Sequence, residues 1–444
     1  MLNVNSHQPF NAEHSTLNTQ DWTYLTFNIE HSTLNIQHSV SSVDEIRAQF
    51  PALQRKHNGN SVAYFDAPGG TQVPRVVAEA MTEYLFHHNA NTHCLYPTSE
   101  ETDAIIERSR EAVADLLNAS PAEIIFGANM TTLTFHLARA LGRTWRAGDE
   151  VIVTELDHHG NVAPWRALEV DRGIVVRTAR MIPETAQLDY DHLASLVSSR
   201  TKLIAAGAAS NAVGTINDLA RVGAMARDWG ALFFVDAVHL APHELIDVRT
   251  IACDFLACSS YKFYGPHAGI LFVRRELLDA LPFPKLVPAP DWSPERAETG
   301  TQNHEAIAGI TATIDFLASL GGEGGSRRER LARAYLALHE RAEPQLRMLW
   351  DGLSSLPKVR VYGSPPGQPR TPTVAFTIDG VHPDDIARAL AGKGLFTSNG
   401  DFYALTCIER LGCTDGVVRI GCAAYTTDDD VRRLVDEVAA ISRT

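Results

Sequence analysis

The residues of this chain best suited to covalent chemistry follow short apolar runs. "DFLAC" leads into Ser259, Ser260, Tyr261 and Lys262, and "LFFV" into Asp236, Ala237, Val238 and His239. "VIVTEL" is followed by "DHHGN", which holds His158, and "IAAGAA" by Ser210 and Asn211. "EIIF" passes through "GANMTT", with Met130 and Thr131, into a helical stretch. Singly, each feature has an ordinary reading: a connecting turn, a solvated imidazole, a helix cap or a surface charge. Their convergence carries the argument. If the runs are neighbouring parallel strands, the strand ends gather five groups on one sheet edge, where open parallel sheets bind ligands. The five are a phosphate cradle at a helix N-terminus, an imidazole, an amide, a carboxylate and an amine.

Pyridoxal 5′-phosphate chemistry asks for that set. An amine must form a Schiff base and later move protons at the substrate α-carbon. A carboxylate must keep the pyridine nitrogen protonated, so that the ring accepts carbanion electrons. A flat side chain must stack on the ring, and N–H and hydroxyl donors must fix the phosphate. Lys262 is the candidate for the Schiff base. A dinucleotide site would want G-x-G-x-x-G after a strand with an acid further on, and that pattern is not found.

The elements that must position these residues follow from periodicity. Between 64 and about 275, seven β-branched runs alternate with amphipathic stretches: 123–126, 150–156, 173–179, 202–207, 231–236, 254–259 and 269–274. Such alternation predicts an α/β fold with a mainly parallel seven-stranded sheet and helices on both faces. The last two runs are separated only by "SYKFYGPHA". That is too short for a crossover helix, so one strand is expected to be antiparallel. A helix is expected at 304–321, then a flexible "GGEGGS", then a smaller α/β unit with a long helix at about 327–353. The domain reading is 64–303 as the large domain, with 42–63 and 304–444 forming the small domain and connecting helix.

Residues 1–41 are read differently. "FNAEHSTLNTQ" recurs as "FNIEHSTLNIQ" without an apolar period, so this stretch is expected to be disordered and outside the fold, with a translation start near Val40 or Val43. The bulk composition is ordinary: 444 residues, 45% apolar, 21% charged, with 39 Lys+Arg against 53 Asp+Glu, a formal charge of −14. The acidic balance makes nucleic acid and anionic membranes poor partners. No apolar stretch is long enough to span a bilayer. Six cysteines lack paired or metal-type spacing, and five sit in or beside apolar segments. They read as packing residues of a reduced, cytoplasmic protein without a metal site.

Six segments, in order and at compatible spacing, resemble the class V aminotransferase family, specifically its cysteine desulfurase-like branch. They are "YFDAPGGTQVP", "DHHGNVAPW", "SNAVGTI", "VDAVH", "SSYKFYGPHAG" and "ETGTQN". The resemblance covers about residues 60 to 440 and implies pyridoxal-phosphate fold type I, a pyridoxal-phosphate-dependent transferase or lyase, and a small amino-acid substrate. It implies that Lys262 carries the Schiff base, Asp236 pairs with the pyridine nitrogen and His158 stacks over the ring. Asn211 would lie near the phenolic oxygen or the substrate carboxylate. Ser259 would bind phosphate together with the backbone at Met130 and Thr131. Thr301 would reach the phosphate site of a partner subunit, making a homodimer with shared sites, and Arg419 would clamp the substrate α-carboxylate. His239 and Tyr261 replace the Gln and His of the desulfurases beside the cofactor, and both still hydrogen-bond.

One departure bears on the reaction. The stretch matching the desulfurase persulfide loop is "FTSNGDF", with Asp401 at or near the cysteine position. Cys407 follows, but "DFYALTCIERLG" has helical periodicity and reads as packed. Asp401 reads either as an N-terminal residue of that helix or as a group that moves a proton or helps a leaving group depart. Persulfide formation is therefore not expected. C–S lyase, transaminase and epimerase readings stay open, as does, from another class, a non-catalytic cofactor-binding relative.

Overall fold

The computed structural model describes residues 41–443. The readings that fall on residues 1–40, including the repeat and the start near Val40, lie outside the described residues. Ser41 does not: its N–H donates to Leu320 O at 3.3 Å. Ser42 then caps α1 (Val43–Ala48) in a reciprocal box with Glu45.

Seven strands build the main sheet: β1 (Ile124–Gly127), β2 (Glu150–Thr154), β3 (Val175–Ala179), β4 (Thr201–Gly207), β5 (Leu232–Asp236), β6 (Phe255–Ser259) and β7 (Gly269–Val273). Their order is β1-β7-β6-β5-β4-β2-β3. Only β7 runs against its neighbours, β6 and β1, as the short connection required. The strands are continuous apolar runs because both faces are covered. Along β5, Phe233 and Val235 join one core cluster and Phe234 the other; along β6, Leu256 and Cys258 oppose Phe255 and Ala257.

Because the strands other than β7 are parallel, six carboxyl ends reach the same edge. β1 feeds α2 (Met130–Gly142) through a tight turn closed by Asn129, whose Oδ1 accepts from Thr132 N at 2.9 Å. Gly269 makes room for this turn: a Cβ there would sit 2.5–2.8 Å from the Asn129 backbone.

After α3 (His304–Leu320) and α4 (Arg327–Ser354) comes a second, antiparallel sheet. It holds β8 (Val359–Tyr362), β9 (Thr373–Ile378), β10 (Ser398–Gly400) and β11 (Val417–Gly421), in the order β8-β9-β11-β10. One face packs Val374, Phe376, Ile378, Val418 and Ile420 against α4 and against α6 (Asp428–Ser442). The period of two then turns Thr373, Ala375 and Arg419 to the opposite face. Ala63 and Tyr64 pair in parallel with Leu395 and Phe396, and Arg47 binds Tyr425 O and Asp430, so the 42–63 segment folds against C-terminal residues. Among the described residues no helix is long and apolar enough to cross a membrane.

Candidate active site

Lys262 ends the single helical turn that follows β6. Its Nζ donates to Pro68 O and Gly69 O, both at 2.9 Å, and lies 4.9 Å from the Tyr261 ring centre. Burial, helped by the Arg419 charge, pushes this amine down to about 7 against the pull of Asp236. A neutral amine at physiological pH is a nucleophile; an ammonium is not.

Asp236 closes β5 and is buried, with Oδ1 accepting from Val238 N at 3.0 Å. Burial pushes its carboxyl up to about 6, and the Lys262 charge pulls it back. Beside it lies Asp157, which sequence reasoning passed over. Its carboxylate accepts from Gly207 N at 2.5 Å and from Thr154 N at 3.0 Å, and so ties the ends of β4 and β2 together. Burial, joined by the nearby Asp236 charge, pushes Asp157 up to about 7. Its signal was its place between a strand end and His158, which an aspartate in a loop shares with many solvated ones.

His158 caps the short turn His159–Asn161, and its Nδ1 accepts from Gly160 N at 2.8 Å. The proton of the neutral ring therefore sits on Nε2. Burial and then Lys262 push the imidazole down to about 4. Gly160 is required here: a Cβ would meet Thr131 Oγ1 at 2.8 Å and His158 Nδ1 at 2.9 Å. Thr131 is thus brought to the histidine turn. Met130 N donates to Ser259 Oγ at 3.0 Å, which joins β6 to the start of α2.

The second sheet supplies the rest. Arg419 is buried; Nη1 donates to Asn211 O at 2.8 Å, and its guanidinium lies 3.9 Å from the Phe402 ring centre. Asn211 Nδ2 donates to Phe402 O at 2.9 Å. His239 is buried, with Nε2 3.1 Å from both Thr371 Oγ1 and Thr373 Oγ1, the latter on β9. Burial keeps His239 well below the usual imidazole range. Tyr261 stacks on His267 at 4.8 Å, and its carbonyl accepts from Thr71 N.

Asp401 departs from the expectation. The following helix, α5 (Leu405–Arg410), begins after Ala404, so Asp401 is not an N-terminal residue of it. It shapes the loop instead: Oδ1 accepts from Tyr403 N at 2.8 Å and its carbonyl from Ala404 N at 2.8 Å. Phe402 and Tyr403, which sequence reasoning missed as site residues, both have φ of +57°. Tyr403 O accepts from His159 N at 2.7 Å, and its ring centre lies 5.6 Å from that of His158. Cys407 is fully buried on α5, and burial pushes its thiol up to about 12. Thr301 stands apart, exposed in a loop whose Glu298 is fixed by Arg110 and by Phe126 N. Among the described residues no hydrogen bond joins Thr301 to the groups above.

The aminotransferase class-V family model matches residues 63–434, a span that contains every group of this site. The chain belongs to that family. It is 31% identical over 425 residues to a cysteine desulfurase of Pectobacterium carotovorum, covering 90% of this chain and 98% of that one. It is 32% identical over 407 residues to an uncharacterized protein of Mycobacterium tuberculosis, covering 90% and 99%. Among solved structures, the apo cysteine desulfurase of Thermococcus onnurineus superimposes with a TM-score of 0.81 at 28% identity, over 90% of this chain and 98% of that one. A cysteine desulfurase of Escherichia coli, solved in an S-sulfonic acid form, gives 0.77 at 29%, with the same coverage.

This class V chain is a pyridoxal-phosphate-dependent enzyme of fold type I. Its own residues fit the cofactor. The donor set pairs an amine poised near neutrality with a buried carboxylate, a neutral imidazole and a helix N-terminus beside a hydroxyl. Two polar atoms in the site, Asn211 Oδ1 and Arg419 Nε, are buried without a hydrogen-bond partner from the chain, as donors and acceptors for a ligand would be.

Proposed function

We propose that this class V enzyme acts on a small amino acid through Lys262 and does not carry sulfur on a cysteine of its own. The observation that carries the second part is the loop at 401–403. A desulfurase of the persulfide type needs a thiolate on a mobile loop to attack the substrate sulfur. On the sequence match Asp401 falls at or near that place, and its carboxylate is engaged by Tyr403 N. Cys407 is fully buried with a thiol held far from ionisation, so it supplies neither access nor thiolate.

The cofactor, when bound, supplies an electron-accepting ring that stabilises charge at the substrate α-carbon. The residues divide the remaining work. Lys262 would hold the cofactor through its amine and would move a proton at the substrate α-carbon. Asp236 holds a proton at the pyridine nitrogen. His158, neutral because it is buried, offers a flat face to the ring, and Tyr261 and His239 flank it. Asn211 would lie near the phenolic oxygen or the substrate carboxylate, with Nδ2, here on Phe402 O, as the donor it has for either. The Thr131 N–H and the Ser259 hydroxyl would hold the phosphate, joined by the Met130 N–H if it turns from the Ser259 Oγ it donates to here, and Arg419 would orient the substrate by its carboxylate.

The same reading includes a homodimer in which Thr301 completes the partner's phosphate site. Exposed apolar side chains support a face for a second copy: Phe86 is 76% exposed, Leu95 97%, Val287 97% and Trp292 61%, and the rings of His93 and Trp292 bring the two segments together. A cytoplasmic setting is supported by thiols used as core packing, at Cys253, Cys258, Cys407, Cys413 and Cys422. A non-catalytic relative is disfavoured, because the amine, carboxylate, imidazole and guanidinium are all in place.

The test is a panel of amino acids with detection of ammonia, pyruvate, sulfide and alanine, alongside intact-mass analysis after incubation with cysteine. Turnover of one panel member without a sulfur adduct on the protein is the expected result. An adduct mapping to Cys407, with alanine formation abolished in Cys407→Ser, would restore the persulfide route.

A further inference from the structure

Arg419 is an unusual cation. It is 3% exposed, yet among the described residues it forms no ion pair, and the acidic groups acting on it, Asp66 and then the Tyr261 phenol, do so only through space. Its chain partners are the carbonyl of Asn211 and an aromatic face: the guanidinium carbon lies 3.9 Å from the centre of the Phe402 ring, while Nε is buried without a partner. A buried charge without a counter-ion is costly, and a ring face at this distance offsets part of that cost.

Phe402 holds this position against its own backbone preference. Both it and Tyr403 have φ of +57°, a region bulky residues rarely enter and then only when their surroundings impose it. Asn211 Nδ2 holds Phe402 O at 2.9 Å and His159 N holds Tyr403 O at 2.7 Å. Two residues at strand ends of the main sheet therefore pin a strained aromatic loop of the second sheet over the guanidinium.

We infer that Phe402 is a positioning residue for carboxylate recognition: its ring clamps one face of the Arg419 guanidinium, so that the charge stays unpaired within the chain and the donor edge stays free for the substrate. The inference rests on the reading of Arg419 as the carboxylate clamp. An acidic partner at this place would also compensate the charge, but it would compete with the substrate carboxylate for the same donors. A ring face neutralises nothing along that edge. The alternative is that Phe402 merely fills space.

The experiment titrates the holoenzyme with L-alanine and with L-alaninamide, which lacks the carboxylate, and reads both through the cofactor's visible absorbance. The ratio of the two dissociation constants measures carboxylate recognition and is insensitive to a general loosening of the site. The wild type should prefer L-alanine. Phe402→Leu keeps an apolar side chain and the backbone demand, at somewhat smaller bulk, but removes the ring face, and should shrink that preference roughly three- to thirtyfold. Phe402→Tyr should retain it within about twofold, since a phenol offers the same face. Should Phe402→Leu fail to fold, Phe402→Met carries the same comparison. A wild-type ratio in Phe402→Leu, with the preference lost in Arg419→Ala, would overturn the inference and leave the clamp standing. No carboxylate preference in the wild type, or an unchanged one in Arg419→Ala, would overturn the clamp and the inference together.

Discussion

At the scale of single residues, burial and charge tune two groups in opposite directions. Lys262 is pushed down to about 7 and Asp236 up to about 6, so near neutrality the amine is partly free and the carboxylate largely ionised. Cofactor uptake by the apoprotein needs the free amine. Its rate should therefore rise about tenfold per pH unit below about 7 and level off above it. Stopped-flow absorbance on mixing with pyridoxal phosphate measures this, and a flat profile across that range would remove Lys262 as the titrating group. Asp236→Asn keeps the size and one acceptor for Val238 N but cannot stabilise a protonated ring nitrogen. Turnover should fall on the order of 10²–10³-fold with the cofactor still bound, by analogy with the loss of one preorganised polar group. Near-normal turnover would refute the role.

At the scale of elements, the strand ends were legible and the loop over them was not. Runs such as "LFFV" and "FLAC" are apolar throughout because the sheet is covered on both faces, and the first polar residue after each, Asp236 or Ser259, stands at the carboxyl edge of the sheet. The short "SYKFYGPHA" likewise announced the antiparallel β7. Phe402 and Tyr403 gave no such sign. Aromatic residues do not advertise a left-handed backbone, and local pattern favoured extending the helix over Asp401. Long-range bonds from Asn211 and His159 override that preference. Asp157 escaped for the related reason that its partners, Thr154 N and Gly207 N, belong to two different strands. The start of α2 offers a test at this scale. Asn129→Ala removes the cap and should cost about 1 kcal/mol of stability. If these N–H groups hold phosphate, cofactor affinity should fall in the same variant. Denaturant titration and cofactor release together check it, and unchanged cofactor affinity would move the phosphate elsewhere.

At the scale of the whole molecule, two sheets meet at one site. β11 brings Arg419 and β9 brings Thr373, while the main sheet brings Lys262, Asp236, His158 and Asn211. Thr301 is the predicted site residue that one chain does not connect to the others. If a second copy completes the site, mixing Lys262→Ala with Thr301→Ala should restore activity: one site of the hybrid then carries both lesions and the other neither, giving up to about a quarter of wild-type turnover at equal, random exchange, because half the dimers are hybrids with one intact site. No recovery on confirmed exchange, with Thr301→Ala damaging alone, would count against shared sites. The claim on which every role depends is the covalent one, and it can be read across the whole chain at once. Borohydride reduction of the holoenzyme, followed by digestion and mass mapping of all lysine-containing peptides, should find the pyridoxyl group on Lys262 alone, and Lys262→Ala should show neither the label nor the visible band. A label on another lysine, or a reducible band that survives in Lys262→Ala, would contradict the account.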